Sequence, residues 1–175
     1  MIFRKIKAFH KNRAGFTLIE LIAALAITGL IGMGASIASA QVLNQTAKNT
    51  DYTAASRNAM NALHWISRDA FMAQTIDGTE GFPQTESLCL GWVGWDNSVY
   101  SANYTLADGK LRRVYSNGSA VTTTVIAEYI NSDASLTNCV SNNGTITFTI
   151  TSSVGEGDRV IDVTRVREIS SRPDL

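Results

Sequence analysis

The sequence predicts an α+β protein, one long N-terminal helix followed by an antiparallel sheet. Three observations lead there. Residues 16–40 form a 25-residue apolar run whose single charge is Glu20. No proline intervenes between that run and residue 76, and apolar residues recur at helical spacing through its second half. From Gly81 onward the periodicity becomes that of short strands separated by turn residues.

Residues 1–15 carry Arg4, Lys5, Lys7, Lys11 and Arg13 and no acid. The apolar run behind them is long enough to cross a hydrocarbon core of about 30 Å as a helix, at about 1.5 Å per residue. A basic leader ahead of such a span stays on the cytoplasmic side, which places everything after Ala40 across the membrane. Three plainer readings compete. A signal anchor holding an unrelated domain would look similar in outline. A secretory signal peptide finds a small-residue site at Ala38-Ser39-Ala40, but the run far exceeds the usual apolar region of about 7–15 residues and contains Glu20. A buried helix of a soluble protein fits neither the length nor the basic flank.

The stretch Gly15-Phe16-Thr17-Leu18-Ile19-Glu20, with the apolar run behind it, resembles the cleavage motif of type IV pilins and type II secretion pseudopilins. The resemblance implies that a prepilin peptidase cuts between Gly15 and Phe16 and methylates the amine of Phe16. It assigns Glu20 a role in filament assembly. It further implies a pilin-like fold, membrane lipid around the span before assembly, and other pilin or pseudopilin subunits and an inner-membrane assembly platform as partners. The destination implied is an extracellular or periplasmic filament. On this reading residues 1–15 are a leader, 16–40 the transmembrane and filament-core helix, and 41–78 its amphipathic continuation. The antiparallel β head then spans 79–169, with a tail at 170–175. Ala24, Thr28, Gly32, Ser36 and Ala40 put small residues on one face of the span, where helices approach closely in lipid.

Beyond Ala40, Tyr52, Ala55, Ala59, Ala62, Leu63, Ile66, Ala70 and Ala73 form a stripe for burial, and Asp77-Gly78 is a natural stop. Strands are expected at 87–95 and 98–106. Asp108-Gly109 marks a hairpin into residues 110–115, and Asn117-Gly118 leads into a β-branched run over 121–130. A polar loop at 131–143 contains Cys139. The last hairpin joins 145–152 to 160–168 around Gly155-Glu156-Gly157. Its inward candidates are Ile146, Phe148 and Ile150 in one arm, and Val160 or Ile161 with Val163 and Val166 in the other. The Trp65-Ile66-Ser67-Arg68-Asp69-Ala70 segment, the 106–115 hairpin with Leu111-Arg112-Arg113, and Val163-Thr164-Arg165-Val166 look like the J-type or W-type minor subunits of the same family.

With 175 residues, the chain has room for one core-forming domain beside the anchor. Formal charge is zero, but removing the five leader bases leaves ten bases against fifteen acids, a net −5 that offers nucleic acid backbones no general attraction. Cys89 and Cys139, both in the exported part, are expected to bridge, a link contributing on the order of 4 kcal/mol. Little else carries chemistry. His10 lies in the leader and His64 stands alone, so the mature chain offers no histidine triad or His-rich metal site. Asp77 with Glu80, and Glu156 with Asp158, read as solvated turns sooner than as Ca²⁺ ligands. Neither metal, cofactor nor enzymatic activity is expected. Trp92, Trp95 and Tyr100 read first as core and second as a sugar- or partner-binding face. The function expected is a structural filament subunit. The alternative is a binding module displayed at a filament tip for a surface, cargo or DNA uptake.

Overall fold

The computed structural model describes residues 15–142 and 145–170. The leader assigned to 1–15, apart from Gly15, and tail residues 171–175 lie outside them. Helix α1 spans Leu18–Met72, and the chain divides at Gln45/Thr46 into two compact units. In the first unit every described residue is exposed, including Leu18, Ile19 and Leu30 at 77%, 75% and 72%. An 18-residue window of this apolar helix has a mean hydropathy of 2.1, long and apolar enough to cross a membrane. Thr28 and Ser36 donate their hydroxyls to the carbonyls of Ala24 and Gly32 at 2.8 and 2.9 Å. Their polar atoms are therefore satisfied within the helix, as lipid surroundings demand.

In the second unit the remainder of α1 packs on two antiparallel sheets. One has the order β1-β2-β3-β4-β5 and the other β6-β7-β8. The strands are β1 Thr75–Asp77, β2 Leu88–Val93, β3 Val99–Ala107, β4 Lys110–Ser116, β5 Val121–Ala127, β6 Asn138–Asn142, β7 Thr145–Val154 and β8 Ile161–Ser170. A bridge from Ile130 to Ser152 links the sheets. One core cluster joins Ala62, Leu63, Ile66 and Ala70 of α1 to Leu88, Leu90, Tyr104 and Leu111 of the first sheet. Ile146, Phe148, Ile150 and Ile169 of the second sheet complete it. The alanines Ala55, Ala59, Ala62 and Ala70 are fully buried, which lets the helix lie close to the strands. Asp108 and Gly109, at φ 51° and 70°, make the two-residue turn between β3 and β4 that their sequence announces.

A buried polar cluster pins the end of α1. The Asp69 carboxylate, with no exposed surface, accepts hydrogen bonds from the Tyr104 hydroxyl and the Arg113 Nε, each at 2.5 Å. Arg68 reaches the other oxygen at 3.2 Å. Burial, then the neighbouring Asp69, pushes the Tyr104 phenol far up. Burial alone would lower Arg113, but Asp69 outweighs it and the guanidinium is held charged. Arg113 also lies over the rings of Trp65 and Tyr115, and Arg68 over Trp65.

Several expectations are corrected. The sheet is two sheets, split where the chain leaves β5 for the bridge at Ile130. Helix α1 stops at Met72 because Gln74 is drawn into the ladder. Its N–H donates to the Gly91 carbonyl at 2.8 Å, its Oε1 accepts from the Val93 N–H at 2.9 Å, and Thr75–Asp77 pair with β2. The burying stripe begins at Ala55, so Tyr52 is half exposed. The 131–143 loop contains β6, whose polar residues lack the apolar alternation that signals a strand. In β8, Val163 and Ile169 face the core while Val166 is exposed, since residues three apart point to opposite faces of a strand.

The expected Cys89–Cys139 disulfide is also overturned, for both cysteines are free. Leu88 and Leu90 point into the core, so Cys89 between them points away, toward Ser87 on the same outer face. Cys139 lies in the other sheet, with its side chain in the core cluster. A bridge needs Cβ atoms facing each other about 3.8 Å apart. Opposite sheet faces do not supply that.

Candidate processing and assembly site

The residues assigned to processing, Gly15 and Phe16, lie in the short run before α1, and Glu20, assigned to assembly, lies in its first turn. Gly15, Phe16 and Thr17 are non-helical and exposed, and Phe16 retains 88% of its surface. A side chain added at Gly15 would meet no described atom within 4 Å.

Thr17 caps the helix and Glu20 answers it. The Glu20 carboxylate accepts from the Thr17 N–H at 2.9 Å and from the Thr17 hydroxyl at 2.8 Å. In return the Glu20 N–H donates to the Thr17 hydroxyl at 3.4 Å, and the first helical bond runs from the Leu21 N–H to the Thr17 carbonyl at 3.2 Å. This is the reciprocal capping box, with a hydroxyl residue three positions ahead of a glutamate. Helix start and carboxylate position are thereby coupled, one residue beyond the expected cut. Sequence reasoning assigned Glu20 a role but missed Thr17, although the Thr-x-x-Glu spacing carries that signal.

The other singled-out residues lie in the second unit. His64 is exposed on α1, and among the described residues no three His, Cys, Asp or Glu side chains converge on a point that could hold a metal ion. Trp95 is fully exposed, whereas Trp92 is half buried against the core edge and Tyr100 is half buried beside it, its ring stacked on that of Trp92.

An apolar N-terminal helix with a capped, exposed start, followed by antiparallel sheets, defines a pilin-like α+β architecture fit for membrane anchoring. Residues 10–36 match the family described as the prokaryotic N-terminal methylation motif. The chain therefore carries the signature of type IV pilins and pseudopilins, a structural rather than enzymatic class processed by prepilin peptidase and assembled with other pilin subunits. No curated protein and no solved structure matches the chain.

Proposed function

We propose that the protein is a structural subunit, a minor pilin or pseudopilin of the J-type or W-type, of a type IV pilus or type II secretion-like filament. Peptidase cleavage after Gly15 releases Phe16 as a methylated amine. The mature chain waits in the inner membrane with its sheets outside the cytoplasm, and then enters the filament through its N-terminal helix. The observation that carries this reading is a methylation motif leading into a helix that buries nothing of its own up to Thr46. Such a surface calls for lipid first and neighbouring helices afterwards.

Glu20 is the residue on which assembly turns. A carboxylate costs about 2.5–3.5 kcal/mol at the bilayer centre, less near the edge, so anchoring alone favours an apolar residue there. Before cleavage Thr17 satisfies it. After cleavage a cationic amine appears at Phe16. The carboxylate then pairs with that amine in its own chain or reaches that of an adjacent subunit, and pairing between subunits sets the axial register. The test is Glu20→Ala. The variant is expected to be processed and held in the membrane at normal levels, yet to be missing from sheared filaments. Incorporation equal to the unmodified protein would leave simple helix packing as the whole explanation. A second reading, a binding module displayed at a filament tip, is favoured by the fully exposed Trp95.

A further inference from the structure

We propose that the aromatic groove on the second unit, where β2, β3 and β4 run past the end of α1, binds a neutral saccharide. Its floor is a row of three rings on adjacent strands. Trp92 and Tyr100 stand 5.9 Å apart with planes 8° off parallel, and Tyr115 lies 6.4 Å from Tyr100 at 26°. Gln74, Gly94 and Trp95 add to the walls of a space of about 650 Å³, within the range of small-ligand sites.

Trp95 is the least expected part. Its side chain is 100% exposed, although burying an aromatic ring is among the largest stabilising gains available to a chain. Nor is it held on a loose loop. The Gly94 N–H donates to the Ser98 carbonyl at 2.8 Å and the Asn97 N–H to the Gly94 carbonyl at 3.0 Å. Asp96 accepts from the Ser98 N–H at 3.1 Å and from its hydroxyl at 3.0 Å, contacts that also hold the carboxyl below its ordinary range. Gly94 sits so near Tyr100 that an added Cβ would lie 2.8 Å from its ring. The loop is braced against the aromatic row with its indole in water. The backbone that carries the indole is therefore already ordered, so binding has little loop ordering left to oppose it.

Charge and hydrogen bonding select the ligand class. Among the described residues, none that lines the groove is acidic or basic. The nearby cation, Arg113, lies over the Tyr115 ring at 4.4 Å but is committed to Asp69. An anion therefore finds no partner here. The site is nevertheless not merely greasy. Among the described residues, the indole N–H groups of Trp92 and Trp95 and the hydroxyls of Tyr100 and Tyr115 make no hydrogen bond, and the side-chain amide of Gln74 uses only its oxygen, which accepts from Val93. Aromatic surfaces flanked by unclaimed neutral polar groups suit a ring with an apolar C–H face and hydroxyl edges. Strand addition by a peptide is disfavoured, because β2, β3 and β4 are each paired on both sides.

The test uses the mature protein with its anchor, purified in a zwitterionic detergent without a sugar headgroup. Maltotriose, cellotriose and tri-N-acetylchitotriose are titrated separately, reading tryptophan fluorescence and saturation transfer to the saccharide protons. At least one should bind saturably. Trp95→Ala should weaken it about tenfold, the loss expected for one stacking ring, with an unchanged thermal transition. Trp65→Phe, outside the groove, should leave binding intact. No saturable binding of any of the three up to about 10 mM, or unchanged binding in Trp95→Ala, overturns the proposal. So does preferential binding of a decaproline peptide at the same rings, which would make the groove a polyproline dock.

Discussion

Glu20 is the one charge in a helical stretch of otherwise apolar and small polar residues, and Thr17 resolves its cost in the unassembled chain. A hydroxyl and an N–H take the carboxylate, and the carboxylate in turn completes the helix start. The same logic of local satisfaction explains the cysteines. Cys139 is buried among apolar side chains, and that burial pushes its thiol from an ordinary 9.0 up to about 12. The folded state therefore holds this proton more tightly than the unfolded chain does. The resulting stability is fully present below pH 9 and is lost as the pH rises toward about 12. At pH 8 in native protein, iodoacetamide should modify the half-buried Cys89 well before Cys139, with both recovered as thiols. A peptide pair linked through Cys89 and Cys139 under non-reducing conditions would contradict the opposed-face arrangement.

Between elements, the contact that fixes α1 on the first sheet is Asp69 with Tyr104 and Arg113. Replacing Asp69 by Asn keeps the shape but leaves the largely buried Arg113 without its counter-charge. Removing one partner of a buried pair costs about 3–5 kcal/mol, and urea denaturation of the mature protein should show a loss of this size. A loss below about 1 kcal/mol, the range of exposed pairs, would mean that apolar packing alone positions the helix. This cluster was invisible in the sequence. Asp69 and Arg113 are 44 residues apart, and nothing local distinguishes them from solvated charges. The apolar span, the alanine stripe, the Asp108-Gly109 hairpin and the inward face of β7 were all legible, because each follows from a period or a two-residue turn. What escaped depended on partners distant in sequence. Strand β1 exists only because β2 offers an edge, β6 only because β7 does, and the break into two sheets lies at a single bridge. At the candidate site, Gly15, Phe16 and Glu20 were legible as an ordered local motif, whereas the groove around Trp92 and Tyr115 needed three strands in register.

At the scale of the whole molecule, residues 1–15 carry five bases and no acid, while residues 16–175 carry a net charge of −5, and the proposed cut falls between them. Under the proposed function, cleavage removes the segment that orients the chain in the membrane and creates the amine that Glu20 is placed to meet. The first unit buries no described residue and so depends on lipid or on other helices, while the second carries its own core. Both halves of that claim rest on where the mature chain begins. The intact mass of the protein extracted from membranes measures this directly. The account predicts the mass of residues 16–175 increased by one methyl group. A mass that retains the leader, or one that begins at Gln41, would contradict it.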